Sequence, residues 1–176
     1  MSAGFFHTCA VLDNGDLKCW GSDSNGILGD GASTANNGIL NAPSSTPVDL
    51  GTGRTAVSVS TSEFNTCAIL DNGDLKCWGG NAYGQLGIGL VSTSGITAPS
   101  STPIDLGTGR TALDVSVGLN HVCAILDNGD LKCWGADTYG GLGNDGTNTD
   151  TNTPTSVDLG TGRTAVAVSV GKFHTC

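Results

Sequence analysis

Three histidines in this chain share one sequence setting. His7, His121 and His174 each stand two residues before a cysteine, and Asn65 takes the same place in the second copy. Imidazoles near thiols could ligate a metal or activate a nucleophile. A regularly spaced series is a poor match to either chemistry, because an enzyme site is one unique constellation. These side chains are therefore expected to hydrogen-bond to neighbouring backbone. "DNGD" recurs at Asp13–Asp16, Asp71–Asp74 and Asp127–Asp130, offering oxygens that suit calcium. It lacks the ligand spacing and late Glu of an EF-hand loop, and a hairpin turn calls for the same residues. Calcium stays open at this stage. "GTGR" is glycine-rich, but it recurs between strand-like runs and precedes no helix, so it reads as a turn and not a phosphate cradle. No catalytic set and no cofactor is expected.

The cysteines are the other reactive groups. Each of three copies carries two, ten residues apart: Cys9 and Cys19, Cys67 and Cys77, Cys123 and Cys133. In "TCAVLDNGDLKCW" the apolar runs read as strands around a turn. A two-residue turn at Asn14-Gly15 would set Cys9 opposite Trp20. A three-residue loop, with Gly15 in the left-handed bulge position, sets Cys9 opposite Cys19. Counting from the closing pair Leu12 and Asp16 makes the cysteines a non-hydrogen-bonded pair, close enough for a disulfide. Reduced, buried thiols are the alternative. Metal ligation is a third reading, though the spacing differs from that of zinc sites. Disulfides imply an extracellular, cell-surface or periplasmic setting. Cys176 has no partner and is expected to be unpaired.

Positioning these groups is the work of a repeat. The first cysteines of the copies are 58, 56 and 53 residues apart. Repeat 1 covers residues 1–56, repeat 2 residues 57–112 and repeat 3 residues 113–165, and a fourth copy begins at 166–176. Both ends look cut through a repeat, so the sequence is expected to be a fragment. With 28 glycines and short apolar runs, the chain reads as all-β. Within each unit "PVDL" or its equivalent reads as a short strand and "AVSVS" as the next, giving four strands with the hairpin. Trp20, Trp78 and Trp134 share one position, and Leu28, Leu86 and Leu142 another; both sets are expected in the core. Seven basic residues face sixteen acidic ones without clustering, which argues against nucleic acid. No run is long enough to span a membrane as a helix.

"WGGNAYGQLGIG" at Trp78–Gly89, with the following proline, hydrophobic strand and "CAILDNGDLKCWG", resembles the regulator of chromosome condensation repeat, in its bacterial-type exported form. The resemblance covers essentially the whole chain. It implies a partial β-propeller of about three four-stranded blades built from repeats of 53–58 residues. Missing blades or self-association would close the ring.

Individuality lies in the segments 30–44, 88–100 and 144–154. Ile39, Leu40, Leu90, Val91, Ile96 and Asn148 fall there as candidate partner-binding residues, although the apolar ones could instead pin a loop to its blade. Tyr83 and Tyr139, near the base of these segments, are expected to pack. The favoured function is non-enzymatic recognition of a protein or surface glycan. A guanine-nucleotide exchange-type regulator is the alternative, as is a structural segment of a larger surface protein or enzyme.

Overall fold

The computed structural model describes residues 1–31, 42–144 and 148–176, and the backbone of 39–40. It contains three four-stranded antiparallel sheets arranged as propeller blades. Blade 1 holds β1 (Ser2–Ala3), β2 (His7–Val11), β3 (Leu17–Ser22) and β4 (Ile39–Leu40). Blade 2 holds β5 (Ala56–Thr61), β6 (Asn65–Leu70), β7 (Leu75–Asn81) and β8 (Ser92–Ile96). Blade 3 holds β9 (Ala112–Val117), β10 (His121–Leu126), β11 (Leu131–Gly135) and β12 (Thr151–Ser156). The first strands β1, β5 and β9 lie side by side along the inner edge.

The central hairpin has the expected register in every blade. Cys9 pairs with Cys19, Cys67 with Cys77 and Cys123 with Cys133. Each pair has its Cα atoms 4.1 Å apart, the close spacing of non-hydrogen-bonded positions. The sulfurs lie at disulfide distance, 2.08, 2.07 and 2.12 Å. Leu12 N–H donates to Asp16 O at 2.8 Å, and Gly15 has φ +82°, the left-handed bulge that a three-residue loop requires. Asn14 and Asp16 side chains bond each other, and the same pairing recurs at Asn72–Asp74 and Asn128–Asp130. "DNGD" is thus a hairpin cap.

Strand alternation explains the packing. Side chains of period two point to opposite faces. Cys67, Ile69, Leu75 and Cys77 face blade 3, where they meet Ala112, Val115, Val122 and Trp134. Ala68, Leu70 and Trp78 face blade 1 and meet Cys9, Leu17, Cys19 and Leu28. With a blade on each side, all six residues of β6 are buried. Trp78 and Trp134 are fully buried, while Trp20 is half-buried.

The fourth strand falls elsewhere than the sequence suggests. "PVDL" and its equivalents are not strands. Val48, Ile104 and Val157 each donate one backbone bond, to Leu17, Leu75 and Leu131, and the segment then turns away. Pro47 and Pro103 lack the N–H that the preceding rung would need. The fourth strand comes instead from the variable segments as β4 and β8, and in blade 3 as β12, which runs from the end of that segment to Ser156. "GTGR" is a turn as expected, with Arg54 N–H on Gly51 O and Arg110 N–H on Gly107 O.

Candidate functional site

Two of the repeated histidines join one blade to the next. His7 Nε2 lies 2.8 Å from Thr66 Oγ1 in blade 2, and Thr66 Oγ1 donates to Ile27 O in blade 1 at 2.8 Å. Because a hydroxyl has one hydrogen, Thr66 accepts from His7, and His7 is the Nε2–H tautomer. Among the described residues its buried Nδ1 has no partner. Burial lowers the His7 pKa to about 4. The arrangement repeats at His121, whose Nε2 is 3.1 Å from Thr175 Oγ1, which donates to Gly141 O. Burial also lowers the pKa of His121. These contacts correct the expectation of backbone partners: the histidines bond a threonine hydroxyl on the following unit. At the second seam the threonine position is Val122, and the histidine position is Asn65, which donates to Gly80 O within its own blade.

Tryptophans supply the second link. Trp78 Nε1 donates to Ile27 O and Trp134 Nε1 to Gln85 O, both at 3.0 Å. Gly29 and Gly87 lie under these indoles, where a Cβ would sit 2.5 and 2.6 Å from the ring nitrogens. At the rim, Arg54 meets Asp71 at 3.4 Å and Arg110 meets Asp127 at 3.3 Å. His7, His121, Trp78, Trp134, Asp71 and Asp127 are therefore occupied in holding successive units together.

The candidate recognition residues divide. Leu90 and Val91 are exposed, at 45% and 56%. Asn148 is exposed with φ +44°. Ile96 lies in β8 opposite Gly79 and packs against the core between blades 2 and 3, so it pins its segment. The backbones of Ile39 and Leu40 pair with Ser22 and Gly21, and their side chains lie outside the described residues. Tyr83 and Tyr139 do not pack inward as expected: both are exposed, and Tyr139 meets the edge of Phe173, centroids 5.1 Å apart. Cys176 is free and exposed.

One set of residues escaped the sequence reading. The bends between the first and second strands gather at the inner edge, where Phe5, Glu63, Leu119 and Lys172 line an open cleft. They hold equivalent places in successive copies, yet one is aromatic, one acidic, one aliphatic and one basic. That divergence between otherwise matching copies was the available signal. Among the described residues, no helix is long and apolar enough to cross a membrane.

Comparison with known proteins gives one family. Residues 72–125 and 128–176 match the regulator of chromosome condensation (RCC1) repeat, and a second description of that repeat matches 1–27, 56–85 and 113–140. The ultraviolet-B receptor UVR8 of Arabidopsis thaliana is 30% identical over 99% of the chain, which spans 37% of that protein. The human E3 ubiquitin-protein ligase HERC2 is 28% identical over 99% of the chain, which spans 3% of it. The structure of Prp20p from Saccharomyces cerevisiae, described with its binding properties to Gsp1p and histones, superposes with a TM-score of 0.85 at 19% identity. That match covers 98% of this chain and 41% of that one. The chain thus spans well under half the length of each of these proteins.

Proposed function

We propose, from the premise that the chain belongs to the RCC1 repeat family, that it is a non-catalytic recognition module of an exported propeller. It binds a protein or surface glycan through the residues that differ between its blades. The observation that carries this reading is a division of labour. Repeated positions such as Trp78, Trp134 and Leu86 are buried at the seams, whereas the segment positions Leu90, Val91 and Asn148 are exposed. Buried repetition builds the scaffold, and exposed divergence is where specificity resides. The three cysteine pairs support export, because disulfides persist in oxidising compartments.

Placing a photo-crosslinking residue at 90, 91 or 148, and for comparison at Asp13 on the hairpin rim, tests the reading in the producing cells. Crosslinks from the first three positions and not from Asp13 are expected. Crosslinking from Asp13 alone, or equally from all four, overturns it. Mass analysis, without reductant, of the chain as its own cells make it is expected to show three intramolecular bridges; fully reduced thiols would remove the case for export.

A further inference from the structure

Four bends stand at one end of the sheets, at residues 4–7, 62–65, 118–121 and 171–174. Their backbone closes in the same way each time. Gly4 N–H donates to His7 O at 2.8 Å, Ser62 N–H to Asn65 O at 2.9 Å, and Gly118 and Gly171 N–H to His121 and His174 O at 2.8 Å. Only main-chain groups take part, so the two tip residues of each bend are free to differ in type. The first tip residues are Phe5, Glu63, Leu119 and Lys172, which line a cleft of about 400 Å³ at the inner edge. There β1, β5 and β9 lie side by side, and Val170 N–H joins the row by donating to Ser116 Oγ at 2.9 Å. The four tips therefore follow one another along the cleft as aromatic, acidic, aliphatic and basic.

The two charges stand outside the repeat. Glu63 is the chain's one glutamate, and Lys172 is its one basic residue outside the "DLKCW" and "GTGR" positions. Among the described residues neither has an ion pair, whereas Arg54 and Arg110 at the opposite end do. The Lys172 ammonium lies 5.3 Å from the centre of the Phe173 ring. Apolar groups accompany these charges. Phe5 is 75% exposed and meets the edge of Phe6, centroids 4.6 Å apart, and Leu119 is half-buried. The variable segments share this end, because β6 begins where β7 finishes, with Asn65 opposite Gly79. Exposed Leu90, Val91 and Tyr83 thus continue the apolar surface outward from the cleft.

We propose that this cleft holds an extended segment of a partner protein, which presents in turn an apolar, a basic, an apolar and an acidic side chain. The inference rests on the recognition reading and narrows it to one surface and one class of ligand. Phe5 and Leu119 supply the apolar contact that anchors protein interfaces. A basic group opposite Glu63 and an acidic group opposite Lys172 pair the charges that binding strips of water. A neutral glycan meets neither charge. A polyanion meets Glu63 with like charge, on a chain of net charge −9. The volume is at the small end for binding pockets, so it takes a few side chains of a loop or terminus and not a folded face.

Selection of displayed random peptides on the 176-residue chain tests it. Enriched sequences are expected to combine apolar residues with one basic and one acidic residue, and a synthetic peptide of the enriched sequence is then titrated by calorimetry. E63K and K172E should each weaken that peptide by about tenfold or more, and F5A should do the same. Exchanging the peptide's basic residue for glutamate should restore binding to E63K. D13K, at the hairpin end, should leave affinity unchanged. Neither charged tip holds the fold, so both reversals should keep the parent Tm. No enriched sequence, or a peptide whose affinity E63K and K172E leave unchanged, overturns the site. Glycan-array binding that F5A abolishes and the charge reversals spare makes the occupant a sugar and overturns it as well. Crosslinks from 90, 91 and 148 that persist undiminished in E63K and in K172E overturn the cleft while leaving the recognition reading in place.

Discussion

The two seams of this molecule solve one problem in two ways. Between blades 1 and 2 a polar chain runs from His7 through the Thr66 hydroxyl to Ile27 O, beside the Trp78 indole. Between blades 2 and 3 the indole bond recurs from Trp134 to Gln85 O, but Val122 replaces the threonine and Asn65 turns back into its own blade. The tryptophan link is therefore the constant part. The histidine and threonine change together, because either one without the other leaves a buried donor or acceptor unmet.

Removing the constant part has the largest expected effect. Trp78→Ala and Trp134→Ala each cost about 3–5 kcal/mol, since each opens a large cavity. Denaturant unfolding should show similar losses at the two seams, and a loss confined to one would break the comparison. Acid separates the seams next. His7 is held neutral to about pH 4, against about 6.5 for an unperturbed imidazole. Between these values the unfolded chain binds a proton that the folded chain refuses, so stability falls as pH drops. The slope is about 1.4 kcal/mol per pH unit for this site, it levels off below about pH 4, and above pH 6.5 the site contributes no dependence. His7→Asn should reduce the slope of the stability profile measured across pH 4–7, leaving the part that His121 contributes.

Thr66→Val should cost about 1–3 kcal/mol by stranding His7 Nε2–H. Adding His7→Asn reproduces the pair found at the second seam and should recover part of that loss. Strictly additive costs in a double-mutant cycle would show that the two residues are not a unit. Arg54→Ala is the smallest change. Both partners of its ion pair with Asp71 are more than a third exposed, so a loss under about 1 kcal/mol is expected.

Local signals in the sequence carried the repeat, the hairpin register and the cysteine pairing. The ten-residue spacing and the Asp-Asn-Gly turn decide them within a dozen residues. The fourth strand was misplaced because its pairing depends on how each insertion returns to the sheet, and "PVDL" has the look of a strand without the neighbours of one. The threonine partner of His7 lies 59 residues away, beyond any local pattern. Asp23 and Asp137 resemble ordinary loop acids until the fold shows them buried. Sequence alone fits Ile96 to anchoring and to recognition equally, and its place opposite Gly79 decides for anchoring.

The most direct test of the inter-blade chain is the ¹H–¹⁵N NMR of the His7 imidazole in the folded protein. The account predicts a proton on Nε2 only, and a titration near pH 4. A proton on Nδ1, or a titration near pH 6.5 with the fold intact, would contradict it.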